Sequence, residues 1–184
     1  MIHKILGFFQ AFLQFVRNPN QPVYLTISRE EKIRNVCVYF LLIQFIGAIL
    51  LWYPVALAEK FHLFNKLNSA VEDDVLTTII SAIIVAPLIE EWLFRFPLGE
   101  NRHKPYFRWL YYGISIFFGL IHILMYEIDS THLPYIPFIT MTQIFSGFML
   151  GYIRIVYGFL YGIVLHALFN TLAVIWEYTV GFGL

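Results

Sequence analysis

The chain has 184 residues, of which 59% are hydrophobic and only 13% charged, with a formal net charge of zero. An ordinary soluble domain is about a quarter charged, so this composition excludes a soluble globular fold and points to a membrane protein. The lack of a basic excess excludes a nucleic-acid surface, because nothing would neutralise phosphates, and the single cysteine, Cys37, excludes an intrachain disulfide and any multi-thiolate metal site.

The expected fold is all-α, a polytopic membrane bundle of about five transmembrane helices preceded by an interfacial helix. Residues 1–28 read as the N-terminal amphipathic segment and 29–184 as one membrane domain. Met1 to Val16 is apolar with breaks at Lys4, Gln10 and Gln14, too short to span and suited to the interface. It carries no small-residue cleavage site, so it does not read as a signal peptide. Pro19 and Pro22 end it, and Ser28 before Arg29-Glu30-Glu31 marks a helix start. Asn35 to Ala58 is free of charge and long enough to cross. Glu59 to Asp74 is a polar loop. A second span covers Val75 to Pro97, with Pro87 predicted to bend it about one turn before Glu90. A third covers Pro105 to Tyr126 and opens with Tyr106, Phe107, Trp109, Tyr111 and Tyr112, residues suited to a headgroup boundary. Leu133 to Ile153 and Ile155 to Tyr178 follow, with a tight turn expected between Arg154 and Gly158.

Charge bias sets the expected orientation. Lys4, Arg17, Arg29, Lys32, Arg34, Arg102, Lys104, Arg108 and Arg154 fall on one side. Glu59, Glu72, Asp73, Asp74, Glu127 and Asp129 fall on the other, with only Lys60 and Lys66. The positive-inside rule then places the N-terminus in the cytoplasm.

Glu90 and Glu91 stand inside the second span, where each ionised carboxylate costs about 2.5–3.5 kcal/mol on insertion scales. Such a pair requires partners. Arg95 lies four residues after Glu91 on the same face and reads as its ion-pair partner. His122 lies deep in the third span. In the last span Gly158, Gly162, His166 and Asn170 form one narrow seam, which lets a neighbouring helix approach closely and turns the polar residues toward it. Gly147 and Gly151 offer a matching small seam in the fourth span, and Ser115, Gly119 and His122 share a face of the third. His62, His103 and His132 fall in loops and read as solvated. Glu90, His122, His166 and Asn170 can meet in one interior cavity. A carboxylate beside water can act as a general base. Two imidazoles can bind a metal, or polarise a carbonyl and hold an oxyanion. No serine or cysteine stands out as a nucleophile.

Glu90-Glu91-x-x-x-Arg95, Phe118-x-x-x-His122 and His166-x-x-x-Asn170 resemble, in order and spacing, the three motifs of the CPBP intramembrane proteases. That group includes the type II CAAX prenyl endopeptidases and the bacterial Abi or bacteriocin-immunity-like proteins. The resemblance covers about residues 75–178. It implies an all-helical core and peptide-bond hydrolysis of a membrane-associated protein or peptide, lipidated in some members, by water that Glu90 activates. His122, His166 and Asn170 would surround the reacting centre, with Glu91, Arg95 and Phe118 supporting. A metalloprotease reading would make His122 and His166 zinc ligands, but a glutamate that acts as base is a poor permanent ligand, so metal-free catalysis stands ahead. By analogy the chain reads as a bacterial inner-membrane protein.

Three alternatives come from other classes. A proton or ion pathway would use the intramembrane carboxylates, but the apolar stretches of the first and fourth spans hold no ionisable residues beyond Cys37 and tyrosines to continue it. A catalytically silent immunity or scaffold protein of the same fold would keep the motifs without the chemistry. A haem electron carrier would use His122 and His166 as axial ligands, but leaves Glu90, Glu91 and Asn170 without a task. One tension also stands. Counted from the basic side, His122 lies deeper than Glu90 by roughly ten residues, or about 15 Å.

Overall fold

The computed structural model describes residues 1–24, 26–70 and 74–180. Helix α1 spans Ile2–Arg17. Five longer helices follow, all apolar enough to cross a membrane: α2 (Arg29–Lys60), α3 (Val75–Asn101), α4 (Phe107–Met125), α5 (Leu133–Val156) and α6 (Phe159–Val180). Among the described residues the only β-type pairing is an isolated bridge, Ser69 with Tyr126. The chain is an all-helical integral membrane protein. Glu72 and Asp73, two of the acids used to infer orientation, lie outside the described residues.

The start of α2 follows its sequence signal. Ser28 Oγ accepts from the Glu31 N–H at 3.1 Å, and Glu31 Oε2 accepts from the Ser28 N–H at 3.2 Å. This reciprocal cap satisfies two orphan donors, and it begins the helix at Arg29, one and a half turns before the expected apolar start at Asn35. Between α5 and α6 only Tyr157 and Gly158 are non-helical, and Gly158 has φ +118°, a conformation that excludes most side chains. Arg154 therefore does not lie in the turn. It sits in the last turn of α5, donates from Nε to the Arg95 carbonyl at 3.0 Å, and lies under Gly99 of α3.

α5 is the axis of the bundle. More than half of its span is buried (56%), against 11% for α3, and it touches every other helix. Small residues make this possible. A Cβ on Gly147 would stand 2.5 Å from the Ser115 carbonyl, and one on Gly151 would stand 2.7 Å from the Tyr111 ring. The Gly147–Gly151 seam thus receives α4, not α6, and the expected match between the two glycine seams does not form. The aromatic start of α4 also divides differently from expectation. Phe107 and Tyr111 are fully buried against α5 because they lie four apart on one face, while Tyr106 and Trp109 remain exposed.

α1 lays Phe12 and Phe15 on this bundle, in edge contacts with Phe145, Tyr152 and Tyr111. Tyr112 Oη donates to the Val16 carbonyl at 2.7 Å. Asn20 then bridges to α4. Its Nδ2 donates to the Pro105 carbonyl at 3.1 Å, and its Oδ1 accepts from the Arg108 N–H at 2.9 Å. α4 has no side-chain cap of its own, so Asn20 supplies one from 88 residues away.

On the opposite side, His132 is buried rather than solvated. Its Nε2–H donates to the Asn65 carbonyl at 2.9 Å, its Nδ1 accepts from the Asp129 N–H at 3.1 Å, and its ring lies against Phe64. Asp129 ties the same loops together, accepting from Thr131 Oγ1 and from Asn65 Nδ2, each at 2.6 Å. The Thr131 hydroxyl first, and the Asn65 amide second, hold the Asp129 carboxyl well below the usual carboxylate range.

Two outcomes follow from these ties. Asn20→Ala is expected to cost about 1 kcal/mol, the usual cost of a lost cap, read as a lower thermal midpoint in detergent. Because the folded-state value of Asp129 is depressed, its stabilisation is present above the unfolded value of about 3.9 and is lost as pH falls below it. Hydrogen-exchange protection of residues 126–132, relative to the intrinsic rate at each pH, should therefore fall on acidification below about pH 4, and Asp129→Asn should remove that pH dependence.

Candidate active site

α3 carries two wide turns, over Ser81–Val85 and Glu91–Arg95, each closed by a bond spanning five residues. Turns of this kind recur at functional sites. In the first, the Ala86 N–H bonds to the Ser81 carbonyl. The next donor in that pattern would be Pro87, which has none. The Ala82 carbonyl is left free, and Asn170 Nδ2 of α6 takes it at 2.7 Å. Pro87, by lacking an N–H, thus exposes an acceptor that fixes Asn170, a consequence of its sequence position distinct from the expected bend.

One turn on, Glu91 is fully buried, and so is Arg95. Arg95 Nε lies 3.5 Å from Glu91 Oε1, and the guanidinium stacks on the Phe118 ring at 3.9 Å. The expected ion pair is present, but Glu91 has a second partner. His166 Nδ1 lies 3.1 Å from the same Oε1. A carboxylate accepts, so Nδ1 carries the proton and Nε2 presents a lone pair. Gly162, one turn before His166, makes the approach possible, since a Cβ there would stand 2.8 Å from Glu91 Oε2. The seam predicted on α6 therefore faces α3, as its polar residues required.

His122 is oriented in the same manner by a different group. Its Nδ1–H donates to the Phe118 carbonyl at 2.6 Å, and its ring meets the Phe118 ring edge-on. The carbonyl only accepts, so this imidazole also presents an unprotonated Nε2. Both Nε2 atoms converge on Glu90 Oε2, His166 at 3.7 Å and His122 at 3.9 Å. That oxygen is buried and has no hydrogen-bond partner in the protein.

Glu90, His122 and His166 thus come together from α3, α4 and α6, while Asn170, one turn after His166, is held on the Ala82 carbonyl of α3. The depth offset largely disappears because the helix ends differ from expectation. Glu90 stands eleven residues before the end of α3 at Asn101, and His122 stands fifteen after the start of α4 at Phe107. The remaining four residues amount to about 6 Å at the helical rise.

The two reacting faces differ in exposure. The Glu90 and His122 side chains are 25% and 24% accessible, whereas Glu91 is closed and His166 nearly so. The Glu90–His122 edge opens outward, and His166 lies behind it on the buried Glu91. Arg154 is the member of that support that sequence reasoning missed, and its only signal was an arginine at the end of an apolar span.

Two imidazoles and a carboxylate suit zinc by ligand type, and both histidines have the second-shell acceptor that metal-binding histidines use. Placement does not match type. Among the described residues no three histidine, cysteine, aspartate or glutamate side chains stand around one point closely enough to hold a metal ion.

The chain was compared with curated proteins and with solved structures, and neither comparison finds a match. The family model for the type II CAAX prenyl endopeptidase Rce1-like proteins matches residues 72–172, more than half of the chain. This stretch runs from the approach to α3 through Glu90, Glu91, Arg95, His122, His166 and Asn170. The chain belongs to the Rce1-like type II CAAX prenyl endopeptidase family.

Proposed function

We propose that the protein is an intramembrane endopeptidase in which Glu90 activates the attacking water without a metal. The observation that carries this reading is the placement of Glu90 Oε2, unpartnered and within 4 Å of two imidazole Nε2 atoms that are both held as acceptors. Gaps of 3.7 and 3.9 Å exceed a direct hydrogen bond, and a small widening of them would admit one bridging water. Such a water would donate one proton to Glu90 Oε2 and the other to His122 Nε2, leaving its lone pair for a carbonyl carbon.

In the proposed reaction the water oxygen bonds to the scissile carbonyl carbon and Glu90 takes the released proton. The carbonyl oxygen gains the electron pair. Asn170 Nδ2 has a second N–H beyond the one given to Ala82, and that donor can serve the oxyanion. The proton on Glu90 passes to His166 Nε2, the opposite ring nitrogen being held by the Glu91 carboxylate. His166 then protonates the leaving amine as the C–N bond breaks. Glu91 and Arg95 act as positioning residues, and Phe118 holds both Arg95 and His122.

The fitting substrate is a membrane-associated protein or peptide, lipidated in the manner the family name describes, that reaches the open edge of the site. The bias of basic residues toward the N-terminal side supports a cytoplasmic N-terminus in a bacterial inner membrane. A haem between the two histidines is disfavoured because the Glu90 carboxylate already occupies the space that both Nε2 atoms face.

A general base contributes about 10²–10⁴-fold to rate. Glu90→Gln should therefore lower the formation of cleaved membrane-protein termini at least about hundredfold. The measurement compares N- and C-terminal peptides in membranes of cells that carry wild-type or Glu90→Gln protein at equal abundance. If no terminus depends on Glu90, the protease reading fails and a silent scaffold of this fold takes its place.

A further inference from the structure

α1, the linker after it and the first turns of α2, together with Tyr152 of α5, line an open cavity of about 480 Å³. This is within the usual size of small-ligand sites, about 300–1,000 Å³. None of the four proposed catalytic residues lines it. Its lining combines the charged side chains of Lys4, Arg34 and Glu31 with side-chain amides and aromatic rings. The rings pack on one another. Phe8 stacks on Tyr39 at 5.0 Å and Phe15 meets Tyr152 at 5.2 Å.

The position of the cavity follows from helix length. α2 has 32 residues, about 48 Å at the helical rise, whereas the hydrocarbon core is about 30 Å thick. Its charged first turns, Arg29–Arg34, must stand outside the hydrocarbon, so the cavity lies where headgroups meet acyl chains. The charge balance of its lining favours an anion. Glu31 is committed to the chain itself, with Oε2 accepting from the Ser28 N–H at 3.2 Å and Oε1 lying 3.7 Å from Arg34 Nη2. Among the described residues no ion pair engages Lys4. Two cations against one engaged carboxylate leave one positive charge in excess.

We propose that this cavity is a binding site for one anionic phospholipid, with the phosphate at Lys4 and Arg34 and the first acyl segment over the aromatic rings. A lining that joins cationic side chains to rings matches a molecule that is part charged and part apolar, and a free anion would leave the rings unused. Because Asn20 and Val16, at the end of α1 and just beyond it, hold the start of α4, the bound lipid would also steady the N-terminal helix on the bundle. This inference does not rest on the proposed hydrolysis.

The test uses the full chain in detergent, with retained lipid counted by native mass spectrometry during titration with phosphatidylglycerol or phosphatidylcholine. Wild type should retain phosphatidylglycerol in preference to phosphatidylcholine. A basic residue near a charged membrane surface contributes about 1 kcal/mol, or roughly fivefold, so Lys4→Gln should weaken phosphatidylglycerol retention about fivefold. Glu31→Gln should strengthen it, because glutamine preserves the helix cap while removing the negative charge. Thermal midpoints of the variants without added lipid report whether each still folds. Equal retention of the two lipids, or no change in Lys4→Gln and Glu31→Gln, would overturn the proposal. So would inorganic phosphate alone reproducing the stabilisation by phosphatidylglycerol, which would make the cavity a simple anion site.

Discussion

The site depends on one carboxylate that never meets solvent. Glu91 is fully buried in a helix that is otherwise the least covered of the five spans. A charge so placed is costly unless paired, and it has two partners on the same oxygen. Arg95 is supplied by its own helix and His166 by α6. The local pair anchors the carboxylate, and the long-range contact converts it into an orienting group for an imidazole. Remove Gly162 from this arrangement and α6 could not approach, because a side chain there would meet the second carboxylate oxygen. The adjacent glutamate is then left with its own oxygen unclaimed. The difference between Glu90 and Glu91 lies in which face of α3 each occupies, since the residue type is the same.

Irregularity in α3 is what brings the remaining parts into register. A regular helix satisfies its own carbonyls and offers none to a neighbour. The wide turn over Ser81–Val85, followed by a proline without a donor, releases the Ala82 carbonyl. Asn170 accepts the offer, and α6 is then fixed to α3 at two heights, by Asn170 and by His166. The second wide turn, Glu91–Arg95, ends where Arg154 of α5 braces the Arg95 carbonyl. Each departure from regular helix is thus matched by a side chain from another helix. These departures cost less than they would in lipid, because the freed groups face protein and not hydrocarbon.

Much of the bundle was legible in the sequence. Charge-free runs of sufficient length located the spans, and the reciprocal cap at Ser28 and Glu31 marked the start of α2. The convergence of Glu90, His122 and His166 was legible because polar residues inside apolar runs must find one another. What the sequence could not supply was pairing between helices. Two glycine seams at the same spacing looked complementary, yet Gly147 and Gly151 serve α4 while Gly162 serves α3. Periodicity tells which residues share a face and says nothing about which neighbour fills it. For the same reason Arg154 and His132 were read as loop residues. Both are packed, through partners about sixty residues away in sequence.

The N-terminal segment shows where a motif-centred reading stops. The family match begins at residue 72, so nothing before it is informed by the motifs, yet the chain commits long-range bonds there. Asn20 caps α4, which carries His122, and Tyr112 of the same helix bonds back to Val16. α4 is the element with the most to gain from such support, because it has no capping side chain at its start and must carry His122 to the level of Glu90 in α3. A shift of one helical turn would move that imidazole by about 5.4 Å, more than the 3.9 Å that now separates it from Glu90. The N-terminal helix therefore belongs to the mechanism of placement even though none of its residues approaches the reacting centre, and a ligand that steadies it would act on the same register.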